Sequence, residues 1–124
     1  MKPLLATLIG LTLCAGCSPS TGPTAGTLDV SLSTPFADDG ALLLTISGGP
    51  VDSVEAAGSR VYSSRPDERA LLLILAGDIR AGTIARLHIP DTRQASGYVA
   101  SVSQAAARSY DQRDPSQYTV QLQP

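Results

Sequence analysis

From residue 27 onward, apolar side chains recur at every second position, the period of a strand with one face buried. Leu28, Val30 and Leu32 alternate with Thr27, Asp29, Ser31 and Ser33, which predicts a first strand. Residues 34–40 then carry Pro35, Asp38, Asp39 and Gly40, the chemistry of a turn. They lead into residues 41–46, apolar on both faces as a central strand would be. Gly48-Gly49-Pro50 breaks that run. A weaker strand is expected within residues 51–57 and a short one at residues 60–63, followed by a turn at residues 65–68.

Residues 70–76 form a strong apolar run, with Leu71, Leu73 and Leu75 expected on one face and Leu72 and Ile74 opposite. Leucine is also a good helix former, but the short length between turn signals favours a strand. After a turn at residues 77–82, residues 83–89 place Ala85, Leu87 and Ile89 inward and Ile84, Arg86 and His88 outward, and Pro90 ends the strand. A loop at residues 91–97 precedes residues 98–107, where Tyr98, Ala100 and Val102 alternate, although the alanines are also compatible with a helical turn. A polar loop at residues 108–117 leads to a closing strand marked by Tyr118, Val120 and Leu122. About seven short strands separated by turns point to an all-β fold, a single antiparallel immunoglobulin-like sandwich over residues 27–124. A chain of 124 residues has room for one such domain, and it contains no internal repeat of the solenoid kind.

Residues 1–16 follow another pattern. Lys2, an apolar stretch at residues 4–13 and the small Ala15 and Gly16 have the layout of a secretory signal. The stretch falls well short of the ~20 apolar residues of a spanning helix. The Ala15-Gly16-Cys17 ending resembles the lipobox of bacterial lipoproteins, in which a small-small-Cys triplet is lipidated on the cysteine and cut just before it. The resemblance implies that Cys17 is the lipidated first residue of the mature chain. It further implies an exported protein anchored by lipid to a membrane of the bacterial cell envelope, Ser18 favouring the outer membrane where the organism has one. The position three before the cysteine, usually aliphatic in that family, is Cys14 here. Ordinary cleavage at the same small residues would release a soluble secreted protein instead. A disulfide between Cys14 and Cys17 is not expected to outlast cleavage between them.

Residues 17–26 comprise the lipidated Cys17 and a linker of small residues, Pro and Gly, able to reach ~30 Å at full stretch. Within the folded part, Ala81-Gly82-Thr83-Ile84-Ala85-Arg86-Leu87-His88-Ile89 sets a glycine before a strand of small and aliphatic residues, after the strand at residues 71–75. In this it resembles cohesin-like surface modules. The likeness spans residues 39–122 and implies the sandwich fold alone.

Composition narrows the function. Lys2 is the only lysine, and the arginines are scattered from Arg60 to Arg113 in a chain of net charge −2, so the concentrated basic face of a nucleic-acid binder is missing. His88 is the only histidine, too few for a zinc site and an isolated start for acid–base catalysis. No Gly-x-Ser-x-Gly turn presents a nucleophile, and Gly48-Gly49-Pro50 lacks the Lys-Ser/Thr of a phosphate loop. No cofactor is expected and no enzyme activity is assigned. Two acidic clusters remain: Asp38-Asp39-Gly40, a candidate calcium site through Asp38 and Asp39 if backbone carbonyls complete the shell, and Asp111 with Asp114. Turn formation explains the first equally well. Arg108, Tyr110 and Arg113, with Tyr118 nearby, bring together residue types enriched at binding hot spots and form the candidate partner-contact loop. The absence of tryptophan disfavours sugar binding. These features favour a non-enzymatic protein-binding or assembly module with an envelope protein as partner. A structural accessory of an envelope complex and a soluble carbohydrate-binding module are the alternatives.

Overall fold

The alternation of apolar and polar positions becomes nine strands in two antiparallel sheets, stacked as a sandwich. The computed structural model describes residues 22–124; the expected signal peptide and Cys17 lie outside them. The strands are β1 (Gly26–Ser33), β2 (Asp39–Ser47), β3 (Ser53–Ala56), β4 (Ser59–Asp67), β5 (Ala70–Ile79), β6 (Gly82–Ile89), β7 (Val99–Ala107), β8 (Gln112–Arg113) and β9 (Thr119–Gln123). One sheet has the order β3-β6-β1-β9 and the other β4-β5-β2-β7-β8. The sandwich agrees with the sequence reading, with nine strands rather than about seven; β8, two residues long, is too short to leave a period.

The core is built from the inward set of each strand. Leu28, Val30 and Leu32 of β1 and Leu87 and Ile89 of β6 meet Leu42, Leu44 and Ile46 of β2 and Leu71, Leu73 and Leu75 of β5, all buried. Each such side chain contributes roughly 1.5–3 kcal/mol by leaving water. β2 lies between β5 and β7, the central position its two-sided apolar run predicts.

Several local expectations are corrected. Ile84, expected outward, is buried beside Ala85. Val30 pairs with Ala85 and Ser31 with Thr83, so Ile84 is the extra residue of a bulge and the inward set changes parity there. The same device settles the strand-or-helix ambiguity at residues 98–107. β7 is a strand in which Leu43 pairs with Gln104 and Leu44 with Val102, so Ser103 bulges and burial passes from the even positions to Ala105 and Ala107. The expected turn at residues 65–68 shrinks to Glu68-Arg69, because β4 runs on through an irregularity at Arg65 and Pro66. The expected turn at residues 77–82 shortens likewise, since β5 continues to a buried Ile79. The loop at residues 91–97 is a 3-10 helix, Thr92–Gly97, whose cap Asp91 accepts the Arg93 amide. The expected linker joins the fold before residue 27: the Thr24 carbonyl accepts the Thr92 amide at 2.8 Å, and Gly26 pairs with Ile89.

Two buried tyrosines close the ends of the sandwich. At the end where β1 enters, Tyr98 donates its hydroxyl to the Pro50 carbonyl at 2.5 Å. Gly48 is required there: its φ is +110°, and a Cβ would lie 1.9 Å from the Gly97 carbonyl oxygen. Tyr118 closes the opposite end.

Candidate functional site

The acidic pair converges with Arg113 and Tyr118, two residues of the arginine–tyrosine group expected as a separate site, on one cluster. Asp39 begins β2 facing inward and is 0 % exposed. Its Oδ1 accepts Tyr118 Oη at 2.5 Å and Arg113 Nη1 at 2.9 Å, while Oδ2 is buried without a partner. Arg113 Nη2 reaches Asp38 Oδ1 at 2.7 Å, and the guanidinium carbon lies 4.0 Å from the centre of the Phe36 ring. One guanidinium thus bridges two adjacent carboxylates over an aromatic face. Asp38 and Asp39 both contact the guanidinium of Arg113. Among the described residues no group of three or more His, Cys, Asp or Glu is placed to hold a metal. Asp111 accepts the Ser109 hydroxyl, and Asp114 caps the 3-10 helix Pro115–Gln117.

The electrostatics follow from these contacts. The hydrogen bond from Arg113 holds the Asp38 carboxyl below its ordinary range and raises the guanidinium in return. Asp91 is lowered by Arg93, and Asp114 by the Ser116 amide. Burial first, and then the bond to Asp39, pushes the Tyr118 phenol up to about 12; burial also raises Tyr98. The folded carboxyls bind protons less tightly than unfolded ones, so their stabilisation is present above the unfolded value near 3.8 and is lost as pH falls through the lower folded values. The folded tyrosine holds its proton more tightly. Its contribution is therefore present below 10.0 and is lost as pH rises toward about 12. Thermal melts across pH should show a plateau at neutral pH with a fall on both sides, and a melting temperature unchanged at pH ~11 would contradict the buried phenol.

The three residues expected to contact a partner separate. Arg113 is committed inward, its side chain 17 % exposed. Tyr110 stands 91 % exposed at a left-handed φ of 73°. Arg108 is half exposed, with a 3.8 Å contact to Asp78. His88 lies on the outer face of β6, 3.0 Å from Glu55.

A feature the sequence reading missed is the contrast between the two outer faces. On the four-stranded sheet the outward rows are polar: Ser53, His88 and Thr27 form one, and Glu55, Arg86, Asp29 and Gln123 the next, with Arg86 donating to Asp29 at 2.8 Å. On the five-stranded sheet one outward row runs Tyr62, Ile74, Leu43, Gln104, and its neighbour Arg60, Ala76, Ala41, Ala106, Gln112. Leu72 extends the apolar strip, and Ile74 is 47 % exposed. Ala41, Leu43, Ile74 and Ala106 line a shallow hollow of about 180 Å³. A second hollow, reaching Arg108 and Tyr110, shares Ala41 and Ala106 with it, so the exposed loop forms a rim of the same face. No nucleophile–base pair points into it. Its chemistry is apolar contact with a charged margin. Comparison with known protein families, curated proteins and solved structures finds no match to this chain.

Proposed function

We propose that the chain is a non-enzymatic contact module of the bacterial envelope, exported, held to a membrane by lipid on Cys17, and binding protein through the outer face of its five-stranded sheet. The supporting observation is the asymmetry of the two outer faces: the outward rows of the four-stranded sheet are polar, and those of the five-stranded sheet carry an apolar strip with Tyr62 and Ile74 exposed. Contiguous exposed apolar surface of this kind marks contact sites. The contact role expected of Arg108 and Tyr110 is retained at the rim of this face.

No lysine follows Lys2, so amine-directed crosslinking would miss the folded domain. A photoreactive phenylalanine in place of Tyr62, compared in cells with the same group in place of Gln121 on the polar face, avoids that problem. Position 62 is expected to give one dominant crosslinked product that Ile74→Asp abolishes, and Cys17→Ala is expected to move the protein from the membrane to the soluble fraction. Equal products at positions 62 and 121 would reject the contact face; membrane retention of the Cys17→Ala protein would reject the anchor.

A further inference from the structure

We propose that the apolar face is covered by a second copy of this chain, the two five-stranded sheets packing face to face about a two-fold axis that crosses the strands at the level of Leu44. The proposal rests on the contact-face reading and names its partner. Such an axis makes an isologous interface and reverses strand direction, so each strand lies on its own copy with opposite ends matched.

The face is self-complementary under that operation in three respects. The first is charge. Arg60 and Asp67 occupy opposite ends of the outward side of β4, and among the described residues neither makes an ion pair. Reversal sets each Arg60 against Asp67 of the other copy, twice per dimer. An axis along β2 would instead lay β4 on β8, setting Arg60 over the uncharged Gln112 and leaving Asp67 without a facing charge. The second is shape. Ala41, Ala76 and Ala106 recess one end of the face, whereas Val99 at the other end is 61 % exposed. Reversal lays Val99 over Ala106, Tyr62 over Ser64 and Ile74 over Leu72. The third is area. Four full strands ~4.8 Å apart and four outward rows ~6.7 Å apart, with Gln112 of the two-residue β8 beside them, project to roughly 550 Å², about two thirds of the ~800 Å² of accessible surface that a stable interface takes from each partner. The ~30° rotation between twisted sheets displaces Arg60 and Asp67, each ~14 Å from the centre of the face, by roughly 7 Å, about the length of an arginine side chain. The two tethers leave from opposite ends, and the six residues between Cys17 and Thr24 let each stretch to ~20 Å.

The test uses the full chain in its membrane, carrying Ser64→Cys and treated with a short bismaleimide. Sheets stacked ~10 Å apart put the two Cα atoms of position 64 ~12 Å apart, too far for a disulfide but within the span of the reagent. Ser64→Cys is expected to yield a dimer-sized product about tenfold above the same substitution at Gln121 on the polar face. Arg60→Asp or Asp67→Arg should each reduce the product about tenfold, and the two together should restore it, because like charges then become opposite ones again. No excess of dimer-sized product over the Gln121 control, or no recovery in the double exchange, would overturn the second copy. Either result alongside a product from position 62 with a different protein leaves the contact face standing; no product at position 62 removes both readings.

Discussion

Arg113→Ala is expected to cost the fold about 3–5 kcal/mol, the range for removing one partner of a buried ion pair. Asp39 is 0 % exposed, its Oδ2 already has no partner, and its Oδ1 would keep only the Tyr118 hydroxyl. The loss falls on desolvation more than on attraction, because a carboxylate left in the interior retains the penalty of leaving water without the cation that offset it. Phe36 loses the guanidinium on its face as well. In a domain of this size each kcal/mol moves the melting temperature by roughly 4–8 °C, so a drop beyond ~12 °C should appear in thermal melts. Arg113→Lys should fall in between, since one ammonium cannot reproduce the fork that spans Asp38 and Asp39. The pair Asp39→Ala with Arg113→Ala should lose less than the sum of the single changes, the sign of direct coupling. If Arg113→Ala melts within a few degrees of the unaltered protein, the internal ion pair is not structural and Arg113 returns to the contact loop.

Leu73→Ala should cost about 2–5 kcal/mol, and Leu72→Ala about 1 kcal/mol or less. The residues are neighbours of the same type, and the sheet alone separates them: Leu73 is buried between the sheets, and Leu72 points outward with Ile74. Truncating Leu73 leaves a cavity that closely packed leucines fill only partly. Urea denaturation of the two variants measures the difference directly. Equal losses would mean that the outer face is covered even in the isolated domain.

The strand pattern and much of the core were legible because period two is a local property. Leu28, Val30, Leu32, Leu71, Leu73 and Leu75 declare their common face through alternation alone. Ile84 was misplaced for the reason that alternation cannot anticipate a bulge: one extra residue reverses inside and outside without altering composition. The acidic pair and the arginine–tyrosine loop were both found as residues of interest, yet their relation was hidden. Asp39 and Arg113 are 74 positions apart, and no local rule connects them.

The sequence by itself determined the fold class, the central place of β2 and the residues that face the core on regular strands. All follow from side-chain chemistry read over a few consecutive positions. Only the tertiary structure decided that Arg113 bridges the acidic pair and that Tyr62, Ile74, Leu43, Ala41 and Ala106 share one outer face. Strand register is set by packing between segments far apart in the chain, so a row across a sheet exists only after long-range pairing has chosen it.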